Sequence, residues 1–202
     1  MMILRSAAPS PFGRKVRIAV ALLGLEAEVQ VEPADVLDAN DSVRRQNPLG
    51  KIPALLIEDG TAIYDSRVIL EYLDQRAGGG RILPCDWDAR LAALRLQALC
   101  DGVLDAAILL VYEGRWRPAE RHEPKWVAHQ SEKVARALTV IEAAPPAIDP
   151  APHVGQITLA CALGYLDFRF AGRWRGDHPR LVDWLDTFAA RVPAYAATAA
   201  PP

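Results

Sequence analysis

A chain of 202 residues, 51% of them hydrophobic, is long enough for one compact domain or two small ones with a real core. Its 23 basic and 25 acidic residues are well mixed and leave a formal charge of −2, which argues against a nucleic-acid surface and its basic patch. No run reaches the ~18 consecutive apolar residues of a membrane span, and Pro9, Pro11, Arg14, Lys15 and Arg17 break up any signal-peptide core, so a cytoplasmic protein is expected.

Met2–Arg5 reads as a first strand. Ser10 offers an N-cap, and Pro11 suits the first helical position, where a missing N–H does no harm. Phe12, Val16, Ala19 and Leu23 share one helical face, which leaves Arg14, Lys15 and Arg17 to the other faces. Gly24 fits the position just past the helix end. Residues 27–33, AEVQVEP, alternate as a second strand, and a loop with a short helix fills 34–46. Ala54–Ile57 reads as a third strand and Thr61–Ile63 as a fourth, joined by a two-residue Asp59-Gly60 turn of type I′. Asp65 then caps a helix whose apolar residues are Val68, Ile69, Tyr72 and Leu73.

The stretch AGGGRILPCDWD, 77–88, changes the texture of the chain. Beyond it the pattern is helical, with loops at 115–124 and 145–154. These signals predict an α/β domain over 1–77, a linker at 78–86 and an all-helical bundle over 87–202. In the first helix of the bundle, Asp101 and Asp105 lie one turn apart among Leu94, Ala98, Ile108 and Leu109. They mark a cleft or subunit interface, or are solvated acids. Tyr112 and Trp116 fit either a core or a pocket wall. Arg115, Arg117 and Arg121 fit a solvated charge run or a preference for an anionic substrate. Cys85, Cys100 and Cys161 are far apart, and no Cys/His spacing suits a metal.

The order βαβαββα is the thioredoxin-like arrangement, and Pro53 opens its third strand. A cis X–Pro bond costs only ~0.5–1 kcal/mol. It would turn the Ile52 backbone out of the sheet and into a cleft; a trans Pro53 in an edge turn is the alternative. Ser10-Pro11-Phe12 with Arg14-Lys15-Val16, Asn47-Pro48-Leu49-Gly50-Lys51-Ile52-Pro53, Asp65-Ser66, Tyr72-Leu73, Thr158-Leu159-Ala160 and DHPRLVDWLDTFAARV, 177–192, together resemble the glutathione S-transferase superfamily. The resemblance covers nearly the whole chain and is nearest to bacterial, serine-type members akin to the theta and zeta classes.

The resemblance implies a homodimer with glutathione as co-substrate, no metal, and no nucleic-acid or membrane partner. It implies that the Ile52 backbone beside Pro53 binds the cysteinyl part of glutathione, that Asp65 and Ser66 bind the γ-glutamyl end, and that Lys51 reaches the glycyl carboxylate. Ser10 is the candidate hydroxyl for the thiolate, with Ser6 as runner-up. Residues 7–9 read Ala-Ala-Pro, without the tyrosine or cysteine of other classes. Phe12, Tyr112 and Trp116 are candidates for the electrophile pocket, and Asp101 or Asp105 for a contact across the dimer. The activity implied is conjugation of glutathione to a small electrophile. Zeta-like cis–trans isomerisation and glutathione binding with little turnover are the alternatives; against the former, residues 10–12 read Ser-Pro-Phe rather than Ser-Ser-Cys. A further departure lies before ITLACALGYLDF, 157–168, where the family's Ser or Thr is replaced by His153. Histidine is the weaker cap, so His153→Thr is expected to stabilise by up to ~1 kcal/mol.

Overall fold

The computed structural model describes residues 1–201. Four short strands form one mixed sheet in the order β2–β1–β3–β4. Strand β1, Met2–Ser6, lies inside the sheet with Met2 and Leu4 wholly buried. Strand β2, Val29–Pro33, runs parallel to it. Strand β3, Ala54–Leu56, runs antiparallel on the other side, and β4, Ala62–Ile63, closes the hairpin. With helices α1, Pro11–Leu23, α2, Val43–Gln46, and α3, Ser66–Arg76, this is the expected thioredoxin-like order.

The hairpin turn differs from the expected one. Gly60 N–H donates to Ile57 O at 2.9 Å, and Ile57 N–H donates to Thr61 O at 3.0 Å. The loop therefore has three residues, with Gly60 in the left-handed region at φ +86°. Asp59 accepts the Thr61 N–H at 2.8 Å, so its side chain braces the turn. In α3 the buried stripe is Ile69, Leu70 and Leu73, because this helix packs on α1 and β3; Val68 is exposed.

The glycine-rich linker is pinned by one buried carboxylate. Asp74 Oδ1 accepts the N–H groups of Arg81 at 2.9 Å and Ile82 at 2.7 Å, and Oδ2 accepts that of Gly80 at 2.9 Å. The helical half then follows as α4, Trp87–Trp116, α5, Pro124–Ala143, α6, Val154–Phe170, α7, Pro179–Arg191, and α8, Pro193–Ala197. Every residue from Val154 to Leu166 is buried, so α6 is the central helix. It packs on α4 and also on α1, and α1 reaches α3 on its other side. One apolar core therefore runs from the sheet into the bundle. Among the described residues no helix is long and apolar enough to cross a membrane.

His153 is not the weak cap expected. Its Nδ1 accepts the N–H of Gly155 at 3.1 Å and of Gln156 at 3.4 Å, while Gln156 Oε1 accepts the His153 N–H at 3.1 Å. The pair is a reciprocal capping box with imidazole in place of a hydroxyl. The acceptor must be neutral, and burial holds the His153 pKa below its ordinary value of 6.5, against the opposing pull of Asp149. The unfolded chain therefore takes up this proton first. His153 contributes its full stability above pH 6.5 and loses it as pH falls through the lower, folded value. A fall in melting temperature below neutral pH is expected in the native chain and a weaker one in His153→Asn, whose cap does not titrate. Parallel slopes for the two proteins by calorimetry would remove His153 from the cause.

Candidate functional site

Three turns leave the sheet at the same end. Arg5 of β1 pairs with Ala54 of β3, and Leu55 pairs with Ile63 of β4. The loop after β1, the residues before β3 and the residues after β4 therefore emerge together. They carry Ser10, Ile52-Pro53 and Asp65-Ser66.

Ser10 is the N-cap of α1, and its Oγ accepts the Gly13 N–H at 3.1 Å. A hydroxyl that accepts in this way still has its own proton to donate. Ser6 lies differently. It is 3% exposed, and a Cβ on Gly13 would collide with its Oγ. The runner-up serine is thus packed beneath α1, and Ser10 is the one at the opening. The Ile52–Pro53 bond is cis, as is Tyr64–Asp65. Buried Asn47 organises the approach to this strand: its Nδ2 donates to Lys51 O at 2.8 Å and its Oδ1 accepts the Leu49 N–H at 3.0 Å. The Lys51 side chain remains exposed. Asp65 caps α3 by accepting the Arg67 N–H at 2.9 Å. The Arg67 guanidinium also grips its Oδ2 at 2.8 Å, and these bonds hold the Asp65 carboxyl below its ordinary pKa. Buried Ser66 begins the helix, and its N–H donates to no group among the described residues.

Behind these turns lies a charge pair that periodicity placed wrongly. Spacing leaves Lys15 to a face of α1 off the apolar one, and leaves Asp101 at a cleft or subunit interface or in solvent. Lys15 is 0% exposed, and its Nζ donates to Asp101 Oδ1 at 2.6 Å. Asp101 is itself only 5% exposed. Burial pushes its carboxyl up in pKa, against the pull of Lys15. Its Oδ2 has no hydrogen-bond partner among the described residues, but Arg67 Nε stands 4.0 Å away. Asp105, one turn on, is exposed and faces Arg67.

Next to Ser10 opens a cavity of about 480 Å³ between α1, α6, α7 and the C-terminal residues. Its wall includes Arg14, Tyr165, Phe168 and Tyr195. Arg14 donates to Tyr195 O at 2.6 Å and lies over the Tyr195 ring, while Gly164 opposite leaves room for both. The expected pocket residues are not on this wall. Phe12 points to the other side of α1, its ring centroid 5.5 Å from Lys15 Nζ. Tyr112 is half-buried at the end of α4, and Trp116 is 63% exposed, so it belongs to no core. The α6 and α8 aromatics carried no usable signal, because aromatic residues at helical spacing read as core.

Residues 9–76 match the family described as glutathione S-transferase, N-terminal domain, and residues 124–187 match its C-terminal domain. The chain belongs to the glutathione S-transferase superfamily. It is 34% identical over 188 residues to the GST-like protein YibF of Escherichia coli (strain K12), covering 90% of this chain and 91% of that one. A glutathione transferase family member from Pseudomonas fluorescens Pf-5, crystallised with bound glutathione, is 41% identical and superposes with a TM-score of 0.92, each chain covered completely (100%). A glutathione S-transferase from Methylobacillus flagellatus KT with glutathione bound is 34% identical at a TM-score of 0.91, again over 100% of both chains.

In this member of the superfamily the Lys15–Asp101 pair joins the first helix to the fourth inside the core. Removing one member of a buried pair strands the other charge. Lys15→Met is therefore expected to destabilise the protein by roughly 3–5 kcal/mol in urea denaturation. Lys15→Met combined with Asp101→Leu should recover a large part of that loss. A double variant no more stable than Lys15→Met would mean that the pair is not the source.

Proposed function

We propose that this protein is a glutathione transferase that binds reduced glutathione at the sheet end, stabilises its thiolate with Ser10, and conjugates it to a small electrophile. The observation that carries this reading is the common exit of the Ser10, Ile52 and Asp65-Ser66 turns, with a cavity opening beside Ser10. The glutathione-bound relatives support it. In this reading the Ile52 main chain pairs with the cysteinyl part of the tripeptide. Asp65 takes the γ-glutamyl ammonium, the free Ser66 N–H takes the γ-glutamyl carboxylate, and Lys51 takes the glycyl carboxylate. Residues 1–77 hold glutathione and residues 87–202 supply the opposite wall. The protein works in the cytoplasm as a homodimer, with α4, the helix of Asp101 and Asp105, near the interface.

The thiolate, not the thiol, is the nucleophile, and an unperturbed thiol has a pKa of about 8.5. A hydroxyl donating to the thiolate contributes roughly 1.5–3 kcal/mol. At about 1.4 kcal/mol per unit that lowers the thiol pKa by about one to two units. The N-terminus of α1 adds ~0.3–1 kcal/mol. The sulfur then attacks an electron-poor carbon. A C–S bond forms, and the leaving group or the conjugated system takes the electron pair.

Ser10→Ala should raise the pKa of enzyme-bound glutathione by about one to two units, read from ultraviolet thiolate absorbance against pH. Loss of the helix cap alone would lower stability by ~0.5–2 kcal/mol and leave the bound thiol untouched. An unchanged thiol pKa in the variant would reduce Ser10 to a cap.

A further inference from the structure

Helices α4 and α6 pack side by side. On α4 the Arg115 guanidinium lies 5.2 Å from the Tyr112 ring centroid. On α6 the Arg169 guanidinium lies 4.3 Å from the Phe168 centroid and 5.8 Å from that of Tyr165. Tyr165 and Phe168 are also walls of the cavity that Ser10 borders. Burial raises the pKa of the Tyr165 phenol, while Arg169 and Arg115 pull it down.

These two arginines differ from their neighbours. Arg14 is tied to Tyr195 O, Arg175 to Asp167 and Arg117 to Glu113. Among the described residues, neither Arg115 nor Arg169 has a carboxylate within salt-bridge distance. Arg169 Nε is buried and donates to nothing. Of the acids on the cavity wall, Asp167 is spent on Arg175 and the Trp174 indole, and Asp186 is exposed on α7. A cation in the last turn of a helix relieves its dipole, but any cation does so. Stacking on rings selects the planar guanidinium and leaves its N–H edge free for a planar anion.

We propose that the electrophile of this enzyme has an apolar, conjugated body and ends in a carboxylate held by Arg169 and Arg115. The inference rests on the transferase reading and adds the substrate class. The body lies along Tyr165 and Phe168, its reactive carbon faces the Ser10 side, and its carboxylate meets the guanidinium edges.

The test uses a chlorodinitrobenzoate, whose chlorine sits between two nitro groups, and its methyl ester. The thiolate sulfur attacks the ring carbon bearing chlorine, the C–S bond forms, and chloride leaves with the C–Cl electron pair. The thiol proton goes to water. Each kcat/KM is divided by the uncatalysed rate with glutathione, which removes the intrinsic reactivity of the two compounds. The acid should be favoured about tenfold or more, and Arg169→Gln or Arg115→Gln should each cut that ratio by about tenfold, or ~1.4 kcal/mol. Turnover of both compounds without preference for the acid would overturn the inference and leave the transferase reading intact. Failure to turn over either compound, with glutathione still bound, would count against the transferase reading. Calorimetry with the two preformed glutathione conjugates then decides the anion question. Tighter binding of the acid conjugate, lost in Arg169→Gln, supports it, and equal binding overturns it.

Discussion

Lys15 has no contact with solvent, and its Nζ is met inside the core by the carboxyl group of Asp101. A lysine ammonium in a dry interior is costly without a counter-ion and hydrogen bonds. Asp101 supplies both from α4, 86 residues away. The arrangement extends outward: Arg67 stands 4.0 Å from Asp101 and grips Asp65 at 2.8 Å. Alternating charges thus run from inside α1, through α4, to the first residue of the proposed glutathione subsite. The outer Arg67–Asp65 pair is more than half exposed and contributes little stability of its own. Its value is positional. If α4 shifts against α1, the buried pair separates, so the position of Arg67 is coupled to the packing of the two halves.

The same economy of groups governs the two helix starts that face the cleft. Ser10 and Asp65 each fill the N-cap position and each accept one main-chain N–H. A cap fixes the side chain as well as the helix, because the acceptor atom is held while the rest of the group stays available. For Ser10 the remainder is a hydroxyl proton. For Asp65 it is the second oxygen, already shared with Arg67.

Much of this architecture was legible in the chain. Period-two and helical runs located the sheet and helices, and Ser10-Pro11 marked the start of α1 correctly. The failures have physical causes. Lys15 falls off the apolar face of α1 by spacing, and its burial shows only once a distant partner is known. Asp101 and Asp105 on an apolar helix did signal something, but sequence spacing does not say that one is buried and the other is not. At Asp59-Gly60 the dipeptide fits two turn types, and the bond from Gly60 to Ile57 selects the longer loop. His153 looked like a defect because imidazole is a rare cap, and only its rotamer reveals Nδ1 as an acceptor. Nothing in the sequence singles out Tyr165, Phe168 and Tyr195 as a cavity wall, and it takes α1 and α8 packed on α6 to turn them into one.

The charges around α1 explain why a serine suffices in the proposed chemistry. Helices usually gain from an acid in the first turn. The first turn of α1 has none, and its cations, Arg14 and Lys15, point away into Tyr195 O and Asp101. The field at this end therefore comes mostly from main-chain N–H groups, with no carboxylate to compete for them. A thiolate placed there meets a fixed dipole and one adjustable donor, the Ser10 hydroxyl. A tyrosine at the turn would bring more acidity but would need more space. The Ala7-Ala8-Pro9 loop is short and small, and it leaves the space beside Ser10 open. In the proposed reading the site divides its anions by geometry: the sulfur goes to a hydroxyl and a helix start, and a charged acceptor goes to the guanidinium edges.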